Sequence, residues 1–364
     1  MIDPCRPEVY DAIKNCKSAG IRVVMITGDH IDTATAIGKD LKIIKESKEA
    51  ITGAELDNLS DEELIKVVNT HSVFARVQPE HKTKIVNSLR KQELVVAMTG
   101  DGVNDAPSIK SADIGISMGI TGTDVTKGAS DMVLADDNFA TIVNAVEEGR
   151  KIYDNIRKVL QFQLSTNAAE VIYVFLASVF GINIVTPAQL LWINMVTDST
   201  PGLALGMEKA EGNVMKRKPR NSNESIFANG TGFAVIIHGI LMALIVIASF
   251  FIGQHMELGK FGIFESVDGM TMAFLTANFI EIFYAICMRS QNGSIFKMKT
   301  RNPWLLGAFA LSILFTLGVI YIPFFSGLFG LASINLAELS VAFGLAFAIV
   351  PLVEIFKLLK KRSK

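Results

Sequence analysis

The sequence predicts an α/β domain joined to a helical membrane domain. Three observations carry that expectation. Half of the 364 residues are hydrophobic and only 20% are charged, high and low values for a water-soluble chain. The excess is uneven: residues 1–154 read as an ordinary soluble domain, and 155–364 are dominated by long apolar runs. In the first stretch strand-like and helix-like segments alternate, the pattern of a largely parallel sheet with helices on both faces.

Strand-like runs fall at Ile21–Ile26, Ser72–Val77, Leu94–Met98, Asp113–Met118 and Asp131–Ala135. Helix-like segments lie between them, at Arg6–Ser18, Asp32–Leu41, Ser60–Thr70, Pro79–Gln92 and Asp105–Ser111. A bilayer crossing needs about 20 mostly apolar residues. Six runs meet that need: Val159–Phe180, Ala188–Met207, Thr231–Ile252, Met270–Met288, Trp304–Pro323 and Leu339–Phe356. Lysine and arginine gather after the second, fourth and sixth runs, as in Lys216-Arg217-Lys218-Pro219-Arg220. The opposite connections hold only Lys260. Positive charge stays inside, so a multi-pass protein of the cell membrane is expected, with the soluble half, basic loops and both termini in the cytoplasm. The formal net charge of −1 gives no general attraction to nucleic acid. Cys5, Cys16 and Cys287 show no metal-binding spacing and read as reduced thiols. The N-terminus is polar and has no signal-peptide pattern.

The most specific string is Thr99 to Pro107, T-G-D-G-V-N-D-A-P, directly after the apolar run Leu94–Met98. Run, glycine turn and polar loop describe a strand whose C-terminal end opens into a site. The glycines let backbone approach a phosphate, and Asp101 and Asp105 offer the hard oxygens that Mg²⁺ prefers. This string resembles the hinge motif of P-type ATPases, ion pumps that phosphorylate one of their own aspartates. Thr27-Gly28-Asp29 is similar to the family's T-G-D motif. Arg76 to Lys82, R-V-Q-P-E-H-K, resembles the segment carrying a phosphate-contacting lysine, and Asp131 to Val143 resembles the stretch leading to the membrane. The resemblance implies an incomplete haloacid-dehalogenase-like Rossmann domain over 1–154 and a six-helix transmembrane domain over 155–364. By it, Asp101 binds Mg²⁺, Asn104 and Asp105 hold the phosphate loop, and Thr27 and Lys82 contact the phosphoryl group. Gly28 and Asp29 complete that catalytic set.

The membrane half carries its own chemistry. Glu170, Asp198 and Glu281 fall inside predicted spans, where ionisable groups are costly and mark function. Asn167 and Glu170 share a helix face at i, i+3, as do Asn194, Thr197 and Asp198 at i, i+3, i+4. These groups offer oxygen ligands alone, the set that suits Ca²⁺. A polar network gluing helices is the alternative, but no span holds a Lys or Arg to neutralise three carboxylates. Pro201 removes the helical bond to the carbonyl of Thr197 and could free it to line a cavity. Ser165 to Glu170 and Leu190 to Asp198 resemble the fifth and sixth membrane helices of sarcoplasmic-reticulum-type calcium pumps, and Glu281 falls at the glutamate of their eighth. The resemblance implies one calcium site from Asn167, Glu170, Thr197, Asp198 and Glu281, with Asn194 and Asp198 contributing to a second. Ser199-Thr200 departs from that pattern.

No D-K-T-G-T string, which carries the family's phosphorylated aspartate, occurs here. The T-G-E loop, the nucleotide domain that binds ATP and the first four membrane helices are missing too. The expectation is therefore the C-terminal part of an ATP-driven Ca²⁺ pump with proton counter-transport, embedded in a lipid bilayer. It should be inactive without the N-terminal half. A pump for Na⁺, K⁺ or Mn²⁺, a non-catalytic cation-binding membrane protein and a tethered phosphatase are the alternatives. The missing strand should also leave unpaired edges in what ought to be a core.

Overall fold

The computed structural model describes residues 5–221, 223–228 and 230–362, and the backbone alone at Arg362. It divides into two compact units. One takes the chain up to Arg150 together with Gly212–Glu224, and the other takes Lys151–Glu211 and the chain from Ser225 on. The sequence placed a single division between 154 and 155. The return of 212–224 to the first unit was not anticipated.

In the first unit the elements run α1 (Pro7–Ser18), β1 (Met25–Ile26), α2 (Ile31–Asp40), β2 (Ala50–Thr52), α3 (Gly53–Leu56), α4 (Asp61–Thr70), β3 (Val73–Ala75), α5 (Pro79–Arg90), β4 (Ala97–Gly100), α6 (Ala106–Ser111), β5 (Ile114–Met118), α7 (Asp124–Ala129) and β6 (Met132–Leu134). Local signals set the helix starts. Pro7 and Pro79 occupy first-turn positions whose N–H has no helical partner anyway. Ser60 and Glu63 close a reciprocal capping box at the start of α4. All strand pairs are parallel, in two separate three-stranded sheets ordered β1-β3-β2 and β4-β5-β6. β1 and β4 are therefore each an edge of their own sheet. The two are linked through packing: Ile26 of β1 and Val96 beside β4 meet Val86, Met98 and Ile109 in one apolar cluster. The sequence reading missed β2. Its three residues are too short for a period-2 pattern to register.

In the second unit the elements are α8 (Phe139–Phe180, from Lys151 on), α9 (Pro187–Trp192), a π-helical turn (Ile193–Asp198), α10 (Ser199–Gly206), α11 (Thr231–Leu258), α12 (Val267–Met288), α13 (Pro303–Tyr321), α14 (Pro323–Phe329), α15 (Leu336–Phe347) and α16 (Ile349–Arg362). Among the described residues, five helical stretches are long and apolar enough to cross a membrane, not six: α8, α11, α12, α13, and α15 with α16 taken together as Leu336–Lys361. The second expected span, Ala188–Met207, is not among those five. It falls on α9, the π turn and α10, which follow one another without a gap over 187–206 as one helical run of mixed winding. Pro201 has no N–H to give, so the regular α ladder cannot continue through Thr197. α12 is the most enclosed helix: Phe274, Leu275, Tyr284, Cys287 and Met288 are wholly buried. At one end of the bundle Arg289 clamps the buried Glu208 with Nε at 2.9 Å and Nη2 at 3.1 Å. Asn302 adds a third bond to Glu208 at 3.0 Å, and Asn155 donates to the Glu208 carbonyl at 2.7 Å. This knot joins α8, α10, α12 and the start of α13.

Candidate functional site

In the first unit the expected catalytic residues fall into two groups, one after β1 and one after β4 with Lys82 of α5. After β1 the chain turns through Thr27, whose hydroxyl bonds the Asp29 carboxylate at 2.9 Å and accepts the Asp29 N–H at 3.1 Å. Thr27 stays tied to the sheet through its N–H to the Phe74 carbonyl at 2.9 Å. Gly28 is exposed, and a Cβ there would meet nothing within 4 Å. Backbone at that turn is accessible to an incoming anion.

After β4, Asp105 is only 6% exposed and is gripped from two sides. Lys82 of α5 reaches its Oδ1 at 2.5 Å, and the Gly102 N–H reaches its Oδ2 at 3.3 Å. Gly100 is obligatory, because a Cβ there would fall on the Asp105 side chain. Asp101 and Asn104 are exposed. The carbonyl of Asp101 accepts the Thr123 N–H at 3.1 Å, which fixes the loop and leaves the carboxylate outward. Lys82, Gly102 and Asp105 are thus joined directly, and no bond links them to Thr27 or Asp29. The donor set suits Mg²⁺, which is commonly held by one or two carboxylates together with phosphate oxygens and water: Asp101 is free to bind, and Asp105 is engaged by Lys82.

In the second unit the three expected carboxylates lie close enough for each charge to act on the others. Asn194 donates to both oxygens of Glu170, at 3.0 and 2.9 Å. Thr166 donates to Asp198 Oδ2 at 3.2 Å, and Thr197 lies against Glu281. Asp198 Oδ1 and Glu281 Oε2 are buried with no hydrogen-bond partner, as is the Tyr173 hydroxyl. A cavity of about 20 Å³, room for one water-sized occupant, is lined by Thr166, Glu170, Tyr173 and Glu281. Among the described residues, no three His, Cys, Asp or Glu side chains are drawn close enough to hold a metal together. Asn167 is exposed and outside the cluster. Thr166 takes the inward position, because Thr166, Glu170 and Tyr173 follow i, i+4, i+7 on one face. That spacing was present in the sequence, where Asn167 rather than Thr166 was singled out. Glu354 pairs with Lys357 at 2.8 Å, and His238 Nδ1 bonds the Tyr284 hydroxyl at 2.9 Å while its Nε2 is buried without a partner; both lie away from the cluster.

Comparison with known proteins agrees with both halves. Residues 1–113 match the haloacid dehalogenase-like hydrolase family, and residues 182–359 match the cation transporting ATPase C-terminus. A calcium-transporting ATPase of Bacillus cereus is 46% identical over 99% of this chain and 42% of its own length. One from Bacillus subtilis is 45% identical over 95% of this chain and 38% of its own. An endoplasmic reticulum-type calcium-transporting ATPase of Arabidopsis thaliana is 37% identical over all of this chain and 39% of its own length. The chain spans about two fifths of the length of the curated relatives it matches. With its dehalogenase-like domain leading into a cation-transporting C-terminal bundle, the chain belongs to the P-type ATPases, of which it represents a C-terminal portion.

Proposed function

We propose that this chain supplies the hinge of the phosphorylation site and most of the ion site of a Ca²⁺-exporting, ATP-driven pump. The observation that carries the reading is the pair of buried, unpartnered oxygens, Asp198 Oδ1 and Glu281 Oε2. A buried carboxylate oxygen without a partner is costly, and a hard cation is the partner that removes the cost. Glu170, Asn194 and Thr197 would complete the shell by exchanging their present partners for the ion. Asn167, on the exposed face of α8, would contribute only from a rearranged helix. When the cation leaves, protons would neutralise the emptied carboxylates, which is the basis for counter-transport.

In the first unit Asp101 would hold Mg²⁺, which when bound supplies positive charge against a transferring phosphoryl group. Lys82 and the turn at Thr27-Gly28 would bind the phosphoryl oxygens. Asp105 orients Lys82, and Asn104 and Asp29 hold the two loops. The phosphorylated aspartate itself would come from the part of the pump that this chain does not span. The basic end of the bundle, with the first unit and both termini, would face the cytoplasm.

The test joins this chain to the preceding part of a Bacillus relative and measures phosphoenzyme formed from ATP against free Ca²⁺. Asp198→Asn should abolish Ca²⁺-dependent phosphorylation, and Glu281→Gln should weaken it less. Asp101→Asn should abolish it while leaving Ca²⁺ binding in place. Phosphorylation that follows Na⁺, K⁺ or Mn²⁺ and ignores Ca²⁺ would overturn the calcium assignment.

A further inference from the structure

The second unit contains a cleft of about 470 Å³ at the basic end of its helices, far larger than the cavity among the carboxylates. Its walls come from the end of α16, the segment after α12 and Glu211. Lys357, Lys297 and Lys361 line it. Lys357 is buried and spoken for: its Nζ bonds Glu354 at 2.8 Å and the Cys287 carbonyl at 2.7 Å. Glu211 is likewise held, by Lys158 at 3.1 Å and the Ser290 hydroxyl at 2.7 Å. The two acids of the cleft are therefore neutralised inside the protein. Lys297 and Lys361 stand exposed at the rim, and among the described residues no acid pairs with either. The exposed Asn292 amide adds a neutral donor to the same wall.

The surroundings say what kind of anion would reach this rim. On α16, Ile355, Leu358 and Leu359 are 53%, 60% and 60% exposed and share one face at i, i+3, i+4. Leu358 also lines the cleft. Phe296, beside Lys297, is 76% exposed. An uncompensated cationic rim running straight into an exposed apolar helix face has the two halves of a phospholipid in register. Basic pockets between membrane helices take anionic head groups for this reason.

We propose that this cleft binds the phosphodiester head group of an anionic phospholipid, with Lys297 and Lys361 on the phosphate and the acyl chains along Ile355, Leu358 and Leu359. The shared chemistry, a phosphate anion, could also come from free phosphate, and the apolar face favours the lipid. The inference rests on the helices being membrane-embedded and is independent of the calcium reading.

The test is native mass spectrometry of the full 364-residue chain in detergent, titrated with phosphatidylglycerol, phosphatidylcholine or inorganic phosphate. One tightly held phosphatidylglycerol is expected, with phosphatidylcholine bound at least tenfold less. The pair Lys297→Gln and Lys361→Gln should lower phosphatidylglycerol occupancy about tenfold, and the pair Lys297→Arg and Lys361→Arg should preserve it. Lys260→Gln, on a connection at the other end of the bundle, should change nothing. Equal occupancy in the glutamine pair, or equal binding of phosphatidylcholine, would overturn the proposal. Displacement of phosphatidylglycerol by inorganic phosphate would overturn it too, and that measurement needs no variant to fold.

Discussion

Asp137 shows how a single side chain can tie local structure to pH. Its backbone is left-handed, with φ of 48°, a conformation Asp and Asn tolerate better than most residues. Burial works against its charge, yet N–H groups of Gly119, Ile120 and Thr121 and the Thr121 hydroxyl hold its carboxyl at about 2. A folded value below the ordinary 3.8 means the charged form favours folding. That stability is present above about pH 4 and is lost as pH falls toward 2. Asp137→Asn keeps the backbone and removes the charge. It should unfold at a lower temperature than the parent at pH 7, with the gap closing between pH 4 and pH 2. Circular dichroism melts across that range check it, and a gap independent of pH would refute it. Lys82→Met is the second residue-scale case. It strands the buried Asp105 carboxylate, so it should destabilise the first unit by about 2–3 kcal/mol in urea unfolding, and Lys82→Met with Asp105→Leu should recover part of that. Lys82 and Asp105 were singled out from the sequence, Asp105 by its glycine-flanked acidic string and Lys82 by the resemblance, whereas Asp137 was not. The pairing of Lys82 with Asp105 was not legible, because residues 23 positions apart meet only once α5 and the β4 loop have folded.

At the scale of elements, the π turn joining α9 to α10 matters most. Pro201 marked this stretch as irregular, and the structure puts the π turn over Ile193–Asp198. A π turn offsets the side chains that follow it, and here it ends on Asp198. Pro201→Ala restores an N–H and should lengthen α10 toward its N-terminus. The expected outcome is weaker Ca²⁺-dependent phosphorylation in the joined pump with unchanged membrane insertion. The knot around Glu208 is the opposite case, irregular chain held fast. Burial raises the Glu208 carboxyl, but the Arg289 and Asn302 bonds more than offset that and lower it. Glu208→Gln should cost about 3 kcal/mol. Since the folded value is lowered, the contribution of Glu208 persists above the usual carboxylate range and fades as pH drops below it. Thermal unfolding of the purified membrane protein at pH 7 and pH 4 measures both. Nothing in the sequence pattern announced this knot: Glu208 follows the expected span and looks like an ordinary interfacial acid.

At the scale of the molecule, the first unit has two sheets where the alternation of strands suggested one. Among the described residues β1 and β4 are edge strands, as β2 and β6 are. Backbone groups along an unpaired edge exchange hydrogen readily, and those in a central strand do not. Amides of β3 and β5 should therefore exchange at least tenfold more slowly than those of β1 and β4 by mass spectrometry. Joining the chain to the preceding part of a relative should bring β1 and β4 down to the slow rate. Fold class was readable because βα alternation and apolar run length are long-range averages over many residues. The order of strands was not, since it depends on pairings between distant segments. The second unit has a further consequence in α12. It carries Glu281 in its C-terminal half, with Asn278 and Thr276 in the turns before it, and it is among the less apolar of the five spans, whereas α11 just before it is the most apolar. A glutamate within a nascent span weighs against its partition into lipid during synthesis. The two helices pack as consecutive neighbours, the Ser249 hydroxyl meeting Thr276 at 2.7 Å. α12 would then be poorly recognised by the insertion machinery on its own, and α11 would have to carry it into the bilayer as a hairpin. Glu281, the residue proposed to bind a cation, would thus also govern the order in which the ribosome's product enters the bilayer.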